Sequence, residues 1–248
     1  MNFLKRWWRN LKKNKIILTT LSPKTHRTSE ENLGIEYLKS SLVEKGFEVE
    51  IIDAWLNDLD VDVIYEKIKQ DKNDILFVGI SSYMSNTAPT IELIQKLKMT
   101  DENIKIVCGG FGPTFYPQQY LKAKSDYIIR GEGEEAICEL AYSILDEKEP
   151  VGVKNIGYIK DGNVILNNMR CLTDDLDSIP FPSRDTIDVV LKKKSSVNMV
   201  TARGCSGNCE FCSVISFFRL SDGKVWRTRS IKNIVDEIEV LYNQGVKY

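Results

Sequence analysis

The sequence predicts an α/β fold: a doubly wound parallel sheet over residues 15–148, then the start of a second α/β unit at residue 195. Three observations predict it. Between Lys15 and Leu145 the hydrophobic period alternates between strand-like and helix-like five times. The strand segments are apolar throughout, as strands covered by helices on both faces must be. The loops after the third, fourth and fifth strands are rich in Ser and Gly, where an open α/β sheet presents its ligand crevice.

The elements follow in order. KIILTT (15–20) is a short apolar run, and Leu33, Tyr37, Leu38 and Leu42 then recur at helical spacing until Gly46. EVEII (48–52) reads as strand, 61–70 as helix, ILFVGIS (75–81) as strand and 89–99 as helix. KIVCGG (105–110), a short helix near 117–123, YIIR (127–130) and a helix from Glu134 to Leu145 complete a flavodoxin-like or Rossmann-like domain. Residues 149–194 read as hairpin and linker. IGYI and VILN flank an Asp161-Gly162 turn, and Pro180 and Pro182 push their predecessors out of the α region. In the second unit, VNMVTA (197–202) is expected as a strand, and Ser230 as the cap of a helix turning Ile231, Ile234, Val235, Ile238 and Leu241 inward.

Composition narrows the function classes. A chain of 248 residues, 42% hydrophobic and 28% charged, is that of a globular protein. Its net charge of -1 supplies no field for nucleic acid, and none is expected as a partner. The N-terminus lacks the pattern of a secretory signal and no run spans a bilayer, so a cytoplasmic location is expected. Residues 1–14 form a basic amphipathic leader, with Trp7 and Trp8 among Lys5, Arg6, Arg9, Lys12 and Lys13. Peripheral contact with an anionic membrane and packing on the body both suit it.

Ser81 and Ser82, then Gly109, Gly110 and Gly112, then Gly131, Glu132 and Gly133 follow successive strands of one sheet. Glycines there let backbone approach a ligand closely and expose amide N–H groups at helix starts. Turn formation alone would also place glycine in any one of these loops.

TARGCSGNCEFCSV (201–214) spaces Cys205, Cys209 and Cys212 as C-x3-C-x2-C. A closed zinc site wants a fourth ligand, and the single histidine, His26, lies far upstream. An iron–sulfur cubane on three thiolates instead leaves one iron open, where a substrate or cofactor can bind. Gly204 and Gly207 allow the loop to wrap the cluster. Phe211 offers an apolar face beside it, or serves as ordinary core.

CSGNCEFC, the preceding Thr201-Ala202-Arg203-Gly204 and the following WRTRS (226–230) together resemble the cobalamin (B12)-binding radical SAM enzymes. GGFGPTFYP (109–117) and RGEGE (130–134) are similar to that family's corrinoid-contacting loops. The resemblance implies a [4Fe-4S] cluster on Cys205, Cys209 and Cys212, S-adenosyl-L-methionine (SAM) beside Phe211, and cobalamin on the eight Ser, Gly and Glu residues above. It implies reductive SAM cleavage to a 5′-deoxyadenosyl radical, used for methylation or rearrangement at an unactivated carbon. An oxygen-sensitive, anaerobic chemistry, a small-molecule substrate and an electron donor such as flavodoxin or ferredoxin go with it.

Two departures qualify the resemblance. The chain lacks the D-x-H-x-x-G motif, and Gly112 stands where some relatives carry histidine, so a corrin without a histidine lower ligand is expected. Residues 195–248 supply only one βα unit of a barrel that takes about 250 residues in full, so a truncated partial (β/α) barrel, unable to turn over alone, is expected. The rivals are a methylthiotransferase-like radical SAM enzyme, with a second cluster on N-terminal cysteines, and a non-catalytic corrinoid-binding module.

Overall fold

The computed structural model describes residues 14–23, 31–71 and 73–247. The basic leader up to residue 13 and His26 lie outside these. Five parallel strands carry the first unit: β1 (Lys15–Thr20), β2 (Glu48–Asp53), β3 (Ile75–Ser81), β4 (Ile106–Gly109) and β5 (Tyr127–Ile129). Their spatial order is β2-β1-β3-β4-β5, the doubly wound order in which the crevice opens at the carboxyl ends of β1 and β3. The register aligns those ends: Thr20 lies between Asp53 and Ser81, and Ser81 beside Gly109.

Alternation along each strand divides the core into two layers. Ile17, Val78 and Cys108 face α3 (Val61–Asp71), α4 (Thr87–Thr100) and α6 (Pro117–Lys122). Ile16, Leu18 and Val107 face α1 (Leu33–Glu44) and α7 (Glu134–Leu145). Both layers are closed to solvent, which the apolar strand runs require. Short helices α2 (Ala54–Asn57) and α5 (Phe111–Phe115) start directly at the ends of β2 and at Gly110. Asp53 caps α2, its carboxylate accepting from Leu56 N at 2.9 Å.

The hairpin forms, as β6 (Ile156–Lys160) and β7 (Asn163–Leu166) around Asp161-Gly162. Instead of standing apart in a linker, it extends the sheet to seven strands by pairing antiparallel with β5. An edge strand's unpaired amides and carbonyls are satisfied that way. A helix absent from the sequence reading, α8 (Ile187–Lys193), follows the extended prolines.

Two expectations for the second unit are corrected. Residues 197–201 are not strand; only β8 (Ala202–Arg203) forms, antiparallel to β9 (Arg227–Thr228). A strand exists through its neighbour's hydrogen bonds, and no parallel neighbour stands beside VNMVTA among the described residues. After α9 (Ser213–Phe218) comes α10 (Ile231–Asn243), capped as expected, with Asn233 N donating to Ser230 Oγ at 3.1 Å. Its apolar face is not turned inward: Leu241 is buried, but Ile231, Val235 and Ile238 are exposed. Glu237 is the second buried residue of the helix, drawn in by Arg184 and Arg229.

Candidate functional site

A cavity of about 470 Å³ opens at the carboxyl edge of the sheet. Leu18, Gly79 and Val107 form its floor, Ile35 and Ile137 its sides, and Arg203, Gly204 and Phe217 of the second unit its roof. The cavity is therefore shared between the sheet and the segment that carries the cysteines. A space of this size, mostly apolar with a few polar groups at the rim, is the usual form of a cofactor site.

Six of the eight residues expected on a corrin line it: Ser81, Gly109, Gly110, Gly131, Glu132 and Gly133. Gly110 and Gly131 have φ of +95° and +72°, and a Cβ on Gly110 would meet the Ser82 carbonyl at 2.8 Å. The backbone there can turn back on itself only without a side chain, which leaves the rim bare.

Ser82 and Gly112 lie beneath the rim. Ser82 is fully buried; its Oγ is hydrogen-bonded to Tyr120 Oη at 2.9 Å, and its carbonyl accepts from Gly112 N at 2.9 Å. A Cβ on Gly112 would fall 2.2 Å from Tyr120 Oη. Asn86, also buried, donates from Nδ2 to Leu21 O at 2.8 Å and accepts from Tyr83 N at 2.7 Å. These groups lock the loops after β1, β3 and β4 together. Tyr120 and Asn86 carry no signal in the sequence beyond their residue type, because they meet Ser82 only through tertiary structure.

The Glu132 carboxylate is committed elsewhere. It pairs with Arg203 at 3.1 Å and with Arg227 at 2.9 Å, while Glu134 pairs with Arg203 at 2.6 Å. Burial alone would raise the Glu134 carboxyl, yet the Arg203 charge holds it below the ordinary carboxylate range. Glu132 thus lines the cavity without a free carboxylate to offer a ligand. Asn155, in the left-handed region at φ +69°, braces the loop by donating from Nδ2 to Glu132 O at 2.8 Å.

Cys205 and Cys209 are exposed and Cys212 half-buried. Gly207 stands between the first two: a Cβ there would lie 3.3 Å from Cys205 Sγ and 3.9 Å from Cys209 Sγ. The Gly207 amide donates to Cys205 Sγ at 3.3 Å, and Cys212 N to Cys209 O at 3.1 Å. Among the described residues no three such side chains are gathered as the shell of a single metal ion. Phe211, 93% exposed, is not core. Among the rings that line the cavity are Phe217 and Phe218 of α9, with Phe217 stacked on Phe111.

Of the remaining thiols, Cys108 and Cys138 are buried in opposite layers of the core, and Cys171 is exposed. Among the described residues no helix is long and apolar enough to cross a membrane.

Comparison with known proteins bears on this geometry. Residues 25–141 match the model of the B12 binding domain family. The chain is 33% identical over 226 residues to an uncharacterized methyltransferase of Pyrococcus horikoshii, covering 89% of this chain and 48% of the relative. It is 32% identical over 223 residues to the anaerobic magnesium-protoporphyrin IX monomethyl ester cyclase of Rubrivivax gelatinosus, covering 85% and 39%. The chain spans about half or less of the length of these relatives. In fold it is similar to the cobalamin-dependent S-adenosylmethionine radical enzyme OxsB with aqua-cobalamin bound (TM-score 0.80, 21% identity, 96% of this chain and 33% of that one). It is likewise similar to the radical S-adenosylmethionine methyltransferase TsrM of Kitasatospora setae with cobalamin and a [4Fe-4S] cluster bound (TM-score 0.74, 18% identity, 94% and 46%).

Proposed function

Because the chain belongs to the B12-binding-domain radical SAM family, we propose that it is part of an enzyme that reductively cleaves SAM at a [4Fe-4S] cluster and uses cobalamin in methylation or rearrangement at an unactivated carbon. The observation that carries the proposal is the shared cavity. Its bare rim and the floor residues Gly79 and Val107 belong to the B12 binding domain match, and its roof includes Arg203 and Gly204, next to Cys205.

The residues present fit both groups. A flat macrocycle edged with amides needs close backbone approach, and Gly109, Gly110, Gly131 and Gly133 supply it at the rim. Cys205, Cys209 and Cys212 would ligate the cluster: thiolate is the donor that iron–sulfur chemistry calls for, and two exposed thiols beside a half-buried one can meet a cluster larger than a single ion. When bound, the cluster supplies single electrons and cobalamin carries a methyl group. The chain's own part is to orient. Phe217 and Phe111 close one side of the cavity against water, and the Ser82–Tyr120–Asn86 bonds keep the rim from moving. A small-molecule substrate and an electron donor of the flavodoxin or ferredoxin kind complete the proposal.

A second cluster of the methylthiotransferase kind is disfavoured, since Cys108 and Cys138 are separated by the sheet. The deciding experiment is the absorption spectrum of the full-length protein, purified and reconstituted anaerobically with iron, sulfide and hydroxocobalamin. Corrin bands and a cluster shoulder together are expected. Corrin without cluster would refute the radical SAM reading and leave a corrinoid-binding module, and the absence of both corrin and cluster would overturn the reading altogether.

A further inference from the structure

We infer that Glu132 and Glu134 are positioning residues for the first cluster cysteine, setting Cys205 against the cavity through Arg203 and Arg227. What the cysteine holds rests on the functional reading above; the contacts that position it do not.

The β8–β9 ribbon comprises only Ala202↔Thr228 and Arg203↔Arg227. Two residue pairs cannot hold a ribbon in place alone, since even a full two-stranded hairpin is marginal in water. The ribbon is held by its side chains. Arg203 and Arg227, paired across it, converge on one carboxylate of the opposite unit. Glu132 Oε1 accepts from Arg203 at 3.1 Å and from Arg227 at 3.0 Å, and Oε2 accepts from Arg227 at 2.9 Å. The Arg227 contact is bidentate, so it fixes orientation as well as distance. Glu134 Oε1 takes the other end of Arg203 at 2.6 Å. Two carboxylates meet two guanidiniums, and the Arg227 side chain, 1% exposed, has no solvent to fall back on.

From this clamp the chain runs directly to the thiol. Gly204 follows Arg203 at φ +82°, where a Cβ would lie 1.6 Å from the Val225 carbonyl, so the backbone has no lateral room. Cys205 is next. On the other side, Glu132 is flanked by Gly131 and Gly133 of the rim and braced by Asn155. The rim and the thiol are thus joined through Glu132, Arg203 and Gly204. A second buried network between the units lies beside the clamp and shares no residue with it. Arg184 pairs with Glu31 and Glu237 and donates to Asn198 O, and Arg229, paired with Glu237, donates to Val200 O. It holds α10 and the approach to β8, while the clamp holds the ribbon itself.

The test uses the full-length protein and begins without cofactors. Amide hydrogen exchange is compared for wild type, E132Q, E134Q and a control, E102Q, which breaks the exposed pair with Lys124. In E132Q, exchange across residues 202–206 and 227–228 is expected to rise by at least about tenfold while β3 keeps its protection. E134Q is expected to act in the same direction on 202–206 and serves if E132Q does not fold. In reconstituted protein, the magnetic relaxation coupling between cobalt(II) and the reduced cluster is expected to change in E132Q at unchanged iron and corrin content. Unaltered exchange in both variants, or a rise spread evenly over the sheet, would overturn the inference. A wild-type protein that takes up no cluster refutes the functional reading and leaves the exchange result to decide the clamp.

Discussion

The ring of Phe217 stacks on the ring of Phe111, with centroids 4.5 Å apart and planes 28° from parallel. One ring comes from the helix after the cysteine loop, the other from the helix after β4, and the pair closes the cavity where the two units meet. Replacing Phe217 by Ala is expected to cost about 3 kcal/mol, the loss typical of a buried ring. A double-mutant cycle with Phe111→Ala in urea should return a coupling of about 1 kcal/mol. A coupling near zero would show that the rings pack independently.

Two glycines, one at the end of β4 and one in α5, separate fold from ligand. At Gly112 an added Cβ collides with Tyr120 Oη, so Gly112→Ala is expected to lower stability by roughly 2 kcal/mol through overpacking. At Gly109 the nearest atom to an added Cβ is 3.7 Å away. Gly109→Leu should keep the melting temperature within a few degrees and fill the cavity, abolishing corrin retention. Unchanged cobalamin content in Gly109→Leu would count against the site.

Glu36 makes folding pH-dependent. Burial pushes its carboxyl up from 4.5 to about 7, opposed by the hydrogen bond that Thr186 Oγ1 donates at 2.7 Å. The neighbouring Glu31 raises it and Arg184 lowers it. The folded state holds a proton that the unfolded state has released between about 4.5 and 7. This stabilisation is complete below that window and lost as pH rises through about 7, on the order of 3 kcal/mol in all. Glu36→Gln should flatten the urea midpoint between pH 5 and pH 8, and an unchanged slope would contradict the assignment.

The six cysteines divide into two groups. Alanine at Cys205, Cys209 or Cys212 should each remove iron and sulfide from the reconstituted protein, because alanine offers no donor. Burial pushes the thiols of Cys108 and Cys138 up to about 12 and about 11, so neither presents a thiolate at neutral pH. Their alanine variants, and that of exposed Cys171, should keep full iron content. Iron lost from any of these three would revive the second-cluster rival.

The sequence by itself determined the doubly wound sheet, the hairpin and the placing of the rim loops. Strand periodicity, the Asp-Gly turn and chain order are local, and they stay legible whatever packs around them. It also marked Gly110 and Gly131, whose positive φ gives glycine a reason to be there. Only tertiary structure decided the rest. Whether VNMVTA becomes a strand depends on a neighbour that periodicity cannot supply, and the inward turn expected of Ile231, Val235 and Ile238 depended in the same way on what packs against α10. The role of Glu132 was hidden for a further reason. It sits in a glycine loop that reads as a ligand cradle, yet its partners Arg203 and Arg227 lie 71 and 95 residues away. A charge's partner is fixed by the desolvation that burial imposes, and burial is a property of the folded whole.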